Sequence, residues 1–125
     1  MTASRVMALA ALLIAVGIMV GALGSHALRN VLDARQLTSL ATAVNYQLFN
    51  ALGLLVVGFM MRTQPGAGLG VVAGALLLGI LCFSGGIYLM LAGASSFLGY
   101  VTPLGGVLLI GAWLWLAMEL WRSGR

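Results

Sequence analysis

Four apolar runs, about 6–23, 41–61, 69–92 and 100–121, fill most of this 125-residue chain. Each approaches the ~20 residues that a helix needs to cross ~30 Å of hydrocarbon. An aqueous domain of this size leaves much of its chain exposed and could not hide so much apolar surface. In lipid every backbone polar group must be satisfied internally, which a helix does within one segment. The sequence therefore predicts an all-α integral membrane protein, a single domain over 1–125. It is a bundle of four transmembrane helices over about 5–24, 34–61, 67–92 and 101–122.

The charges fit that solvent. Only 6% of residues are charged, and the net charge of +4 comes from six arginines against Asp33 and Glu119. The arginines sit at helix ends and form no basic cluster, so they read as topology and headgroup contacts and not as a nucleic-acid surface. Four crossings put both termini on one side, with Arg5, Arg62, Arg122 and Arg125; the opposite side has only Arg29 and Arg35. Cationic loops stay inside, so both termini are expected in the cytoplasm. Arg5 and the apolar stretch after it imitate a secretory signal, but the stretch is long enough to span and is expected to be retained. The lone Cys82 lies mid-way along the third run and reads as a small packing residue.

Local signals mark the helix ends. Asp33 followed by Gln36 is a capping-box pattern at the start of helix 2. A helix from there to Met61 is longer than the hydrocarbon is thick, so its first turns belong to the headgroup zone, with Leu37, Leu40, Ala41 and Val44 on the apolar face. Pro65 and Gly66 end helix 2, and Arg62 suits its C-terminal turn. Thr102 followed by Pro103 reads as the N-cap and first position of helix 4. Trp121 beside Arg122 reads as an interface anchor, with Trp113 deeper.

Apolar area does not drive helices together in lipid; close backbone approach and interhelical hydrogen bonds do. The eighteen glycines fall into steps that suit this. Gly17, Gly21 and Ser25 step by four in helix 1, as do Gly66, Gly70 and Gly74 in helix 3. Gly79, Gly86 and Gly93 step by seven, as do Gly105, Ala112 and Glu119 in helix 4. These are flat faces for a neighbouring helix, with a glycine-lined pore as the alternative. Four spans bury few faces, so a homo-oligomer is expected.

Polar groups at membrane depth are costly unless paired, so they mark the candidate site. His26 closes helix 1, and Thr42, Tyr46 and Asn50 lie one turn apart on helix 2 beside Asn45 and Gln47. If helices 1 and 2 are antiparallel neighbours, His26 can reach Tyr46 or Gln47. One reading is a hydrogen-bonded clamp between helices. The other is a site where His26 changes charge near neutral pH, or where it binds a headgroup phosphate with Arg29 and Arg35. Ser84 and Tyr88 share a face of helix 3 and satisfy local carbonyls or helix 2 amides, or else line a cavity. Glu119 pairs with Arg122 or snorkels, or else serves as a coupling carboxylate. No nucleotide, zinc or haem motif is present, so no metal, cofactor or catalytic residue is assigned.

Four segments together resemble a known family. Gly21-Ala-Leu-Gly-Ser-His-Ala-Leu-Arg29 is similar to its Gly-Ala-Phe-Gly-Ala-His-Ala-Leu-Lys signature, and Thr42-Ala-Val-Asn-Tyr-Gln-Leu-Phe-Asn-Ala-Leu52 to its Thr-Ala-x-x-Tyr-Gln-x-x-His-Ala-Leu segment. Leu81-Cys-Phe-Ser-Gly-Gly-Ile-Tyr88 resembles Phe-Ser-Gly-Ser-Leu-Tyr, and Thr102-Pro-Leu-Gly-Gly106 matches Thr-Pro-x-Gly-Gly. The family is the domain of unknown function 423, small bacterial inner-membrane proteins with a eukaryotic relative called transmembrane protein 256. The resemblance implies four helices in the inner membrane and no established activity. The chain departs from the pattern at Asn50, where the family usually has histidine, and this favours a hydrogen-bonded network over a metal or relay site.

The functional expectation is a non-enzymatic bundle, oligomeric, that binds membrane lipid or a protein partner. The alternative is a small transporter or channel formed by a homo-oligomer. Small multidrug exporters of four spans carry a carboxylate deep in their first helix, whereas helix 1 of this chain has none.

Overall fold

The computed structural model describes residues 1–124 and contains four α-helices: α1 (Ala3–Ser25), α2 (Ala34–Thr63), α3 (Ala67–Leu91) and α4 (Leu98–Ser123). All four are long and apolar enough to cross a membrane. At 1.5 Å per residue they run from ~35 to ~45 Å, and α2 is the longest. Arg125, which enters the expected charge asymmetry, lies outside the described residues.

The helix ends follow local chemistry. The Thr2 hydroxyl accepts from Arg5 N at 3.4 Å. At α2 the capping box is complete: Gln36 N donates to Asp33 Oδ1 at 2.8 Å, and Asp33 N donates to Gln36 Oε1 at 3.0 Å. At the end of α2 the Thr63 hydroxyl donates to the Phe59 carbonyl at 3.2 Å. Gly93, with φ 92°, closes α3 in a left-handed turn: Ala94 N reaches Leu89 O at 2.9 Å and Gly93 N reaches Met90 O at 3.1 Å.

Helix α4 starts earlier than Thr102 and Pro103 suggest. Leu98, Gly99 and Tyr100 donate to the carbonyls of Ser95, Ser96 and Phe97, and this tight turn leads into the helix four residues before Thr102. Pro103 is thus interior, and the bond it cannot make is to the Gly99 carbonyl. The Thr102 hydroxyl, one residue before the proline, donates to the Leu98 carbonyl at 3.2 Å.

Consecutive helices pack as neighbours, α1 on α2, α2 on α3 and α3 on α4. Half of the α2 span and 39% of the α3 span are buried, against 17% for α1 and 22% for α4, so α2 and α3 are the inner pair and α1 and α4 are flanks. The core joins Leu54 and Val57 of α2 to Val72, Leu76 and Ile80 of α3, with Val6 and Ala10 from α1 and Leu109, Ala112 and Leu116 from α4.

Glycine sets the approach distances. A Cβ on Gly17 would lie 2.7 Å from Leu48, one on Gly24 2.7 Å from Leu40, and one on Gly79 2.7 Å from Leu109. The seven-residue steps of α3 and α4 touch where a Cβ on Gly79 would lie 3.2 Å from the Gly105 carbonyl. Otherwise Gly86 faces Thr102, Gly105 faces the backbone of Cys82 and Phe83, Glu119 rests on Gly68, and Gly93 meets nothing within 4 Å among the described residues. The four-residue step of α3 does not serve the bundle. Among the described residues a Cβ on Gly70 or Gly74 would meet nothing within 4 Å, and one on Gly66 would meet just the Gln64 carbonyl at 4.0 Å.

Candidate functional site

Among the described residues three amide or hydroxyl side chains are buried within the helical spans: Gln47 (2% exposed), Asn50 (5%) and Ser84 (1%). Each is satisfied. Gln47 Nε2 donates to the Leu13 carbonyl at 2.7 Å, and its Oε1 accepts from the Tyr88 hydroxyl at 2.7 Å. One side chain of α2 therefore ties α1 and α3 together, and Leu13 lies near the middle of α1. Gly17, one turn along, lets α2 come close enough for that reach, since a Cβ there would lie 2.7 Å from the Leu48 side chain. Ser84 Oγ donates to the Ala43 carbonyl at 2.7 Å, a second α3–α2 tie.

Asn50 links α2 to α4. Its Nδ2 donates to the Tyr46 carbonyl at 2.8 Å and its Oδ1 accepts from Trp113 Nε1 at 2.8 Å. The indole gets there because residue 53 is glycine: a Cβ on Gly53 would lie 2.5 Å from the ring. Trp113 is a member of the cluster that the sequence reading does not include. A signal exists, because an indole N–H in the middle of an apolar run needs an acceptor. Replacing Trp113 with phenylalanine is expected to lower stability by about 1 kcal/mol by leaving Asn50 Oδ1 unpaired. The check is the thermal midpoint in detergent; an unchanged midpoint would show that the bond contributes nothing.

Other candidates fall elsewhere. His26 caps α1 through its backbone N–H to Ala22 O, and its side chain is exposed with no hydrogen bond among the described residues. The expected contact of His26 with Tyr46 or Gln47 is replaced by the Leu13 and Tyr88 bonds of Gln47, for a reason of register. Gly24 faces Leu40, Gly21 faces Val44 and Gly17 faces Leu48, so Gln47 lies about nine residues, ~13 Å, down α1 from His26. Thr42 donates to Thr38 O within its own helix at 3.1 Å. Glu119 accepts from Trp115 Nε1 at 3.1 Å, so its hydrogen-bond partner is an indole and not Arg122.

Two concavities share Asn45 in their lining. The larger, about 780 Å³, is a groove whose walls include Asn45, Tyr46, Phe49, Phe83 and Trp113, with Asn50 at its back. Tyr46 stacks on Phe83 with ring centroids 4.6 Å apart and planes 18° apart, and Phe49 tilts against Trp113 at 6.0 Å. The Tyr46 hydroxyl and the Asn45 amide are exposed and have no hydrogen-bond partner among the described residues. The second, about 470 Å³, is a crevice at the end of α1 whose lining includes Ser25, Arg29 and again Asn45. Among the described residues no group of three His, Cys, Asp or Glu side chains is placed to hold a metal ion.

Four spanning helices, clamped by buried amides and hydroxyls and floored by glycine, define a small polytopic membrane protein. Residues 20–106 match the family described as "Protein of unknown function (DUF423)", and the chain belongs to that family. It is 39% identical over 107 residues to the UPF0382 membrane protein YwdK of Bacillus subtilis (strain 168), covering 85% of each chain. It is 36% identical to the UPF0382 membrane protein SSP2132 of Staphylococcus saprophyticus, over 82% of this chain and 84% of that one. To the UPF0382 inner membrane protein YgdD of Escherichia coli (strain K12) it is 29% identical, over 83% and 82%. No solved structure matches. No activity is established for the family, and Trp113 and Glu119 lie outside the matched segment.

Proposed function

We propose that this protein is a non-enzymatic bundle that binds a phospholipid, with an acyl chain lying in the groove bounded by α2, α3 and α4. The observation that carries this reading is the pair of unpartnered polar groups, the Tyr46 hydroxyl and the Asn45 amide, at the edge of an apolar, aromatic-walled groove. Polar groups that face hydrocarbon without a partner are costly, and an ester-bearing amphiphile supplies acceptors at that depth. The volume lies within the ~300–1,000 Å³ usual for small-ligand sites, and such sites are mostly apolar with a few polar groups that fix orientation.

Two further elements belong to this reading. Both termini face the cytoplasm, because Arg5, Arg62 and Arg122 share one end of the bundle. The protein also self-associates through α3, where a Cβ on Gly70 or Gly74 would meet no atom of another helix among the described residues, which leaves a surface for close helix approach.

Gly106 is the position from which the groove can be plugged. A Cβ on Gly106 would sit 3.6 Å from the Phe83 ring, an ordinary contact, and the residue lines the groove. Native mass spectrometry of protein purified with dioleoyl-phosphatidylglycerol is expected to show retained lipid in the wild type. Gly106→Phe is expected to lose it with an unchanged thermal midpoint. Equal retention by the plugged variant would refute the groove as the binding site.

A further inference from the structure

The crevice at the end of α1 lies at a membrane surface, since α1 stops at Ser25 and α2 begins at Ala34 just above it. Its lining contains one cation, Arg29, and no acid. Arg29 is exposed and has no hydrogen-bond partner among the described residues. The nearest carboxylate in sequence, Asp33, is engaged in the α2 cap and does not line the crevice. The arginine is not on a loose tether: Leu28 N donates to Leu23 O at 2.9 Å, and Leu28 O accepts from Val31 N and Leu32 N at 3.1 and 3.0 Å. Ser25 Oγ commits its proton to Gly21 O at 3.1 Å. The remaining donor below Arg29 is the Asn45 amide, which borders both the crevice and the groove.

We infer that this crevice is the headgroup seat of an anionic phospholipid. The Arg29 guanidinium takes the phosphodiester, the Asn45 amide donates to an ester carbonyl of the glycerol, and the chain beyond that ester enters the groove. The phosphate–arginine contact is charge-assisted and suits the planar fork of a guanidinium. The missing acid sets the selectivity. An ethanolamine headgroup brings an ammonium that nothing in the lining would balance, whereas glycerol brings none. This inference rests on the groove reading and adds to it a headgroup class.

Native mass spectrometry tests both and separates them. Wild-type protein is offered equimolar dioleoyl-phosphatidylglycerol and dioleoyl-phosphatidylethanolamine, with inorganic phosphate as a competitor in a separate arm. Retention of phosphatidylglycerol over phosphatidylethanolamine by about fivefold is expected, the ratio that one basic residue near an anionic surface produces. Arg29→Gln is expected to bring the ratio close to one while lipid is still retained, and Asn45→Leu to reduce retention of both lipids. Both side chains are exposed, so the thermal midpoint should hold and exclude misfolding as the cause. Lipid retained without headgroup preference, or a preference that survives Arg29→Gln, overturns the headgroup seat and leaves the groove standing. Retention of neither lipid overturns both. Displacement of phosphatidylglycerol by millimolar inorganic phosphate overturns the lipid source and points to a free-anion site.

Discussion

Gly105→Ala is expected to cost the bundle about 2–3 kcal/mol, more than a methyl that meets only side chains, because the new atom would strike backbone. A Cβ at this position would lie against Phe83 N and 2.9 Å from both the carbonyl carbon and the Cβ of Cys82. A side chain in the way can change rotamer, whereas a helix backbone can yield only if the helices part. On the opposite helix Gly79 makes the reciprocal approach, with its virtual Cβ 3.2 Å from the Gly105 carbonyl oxygen. The same crossing positions Phe83, whose ring stacks on Tyr46 in the groove wall, so lipid retention is expected to fall along with stability. Two controls isolate the cause. Gly106→Ala meets only the Phe83 ring at 3.6 Å, and Gly111→Ala meets nothing within 4 Å among the described residues, so both are expected within ~0.5 kcal/mol of wild type. Reversible unfolding in mixed micelles measures all three; equal losses at residues 105 and 106 would show that the α3–α4 crossing is not tight.

The four helices are legible in the sequence because lipid leaves few solutions and each solution has a length. Asp33 and Gln36 mark the start of α2 correctly because a capping box is closed within four residues. Thr102 and Pro103 mislead for the same reason, being a local signature of a helix start. Their actual surroundings, the Leu98 carbonyl and the bare face of Gly86, include a tertiary contact. Gln47, Asn50, Ser84 and Tyr88 can be chosen as membrane-depth polar groups from sequence alone, but their partners cannot. Partner choice depends on the sliding register of α1 against α2, which is set by glycine–leucine contacts such as Gly24 on Leu40. His26 is drawn into the cluster by sequence because the end of α1 and the entry of α2 share a membrane surface, while the register puts it well above Gln47. Asn45 carries little weight in the sequence because nothing in one chain says which polar residue of a helix is left without a partner.

Gln47→Leu is the second large effect expected, about 2 kcal/mol, and its cause is testable apart from its size. Leucine keeps most of the volume but removes the acceptor of the Tyr88 hydroxyl and the donor to Leu13 O, both bonded at 2.7 Å. The Leu13 carbonyl keeps its helical bond and is little harmed. The Tyr88 hydroxyl, on a half-buried side chain among apolar neighbours, loses its acceptor, and that orphan carries most of the loss. Tyr88→Phe alone does the reverse and leaves Gln47 Oε1 without its donor. Combining the two removes both orphans, so the double variant is expected to be more stable than the sum of the single losses implies. The coupling should lie between ~0.6 and ~1.7 kcal/mol, the range for hydrogen bonds between membrane helices. It is smaller than a vacuum bond because a separated α2 would still hold its amide in hydrocarbon and find other partners there. Additive losses in micelle unfolding would mean that Gln47 and Tyr88 do not share a bond, and would dissolve the clamp that joins α1 and α3 through α2.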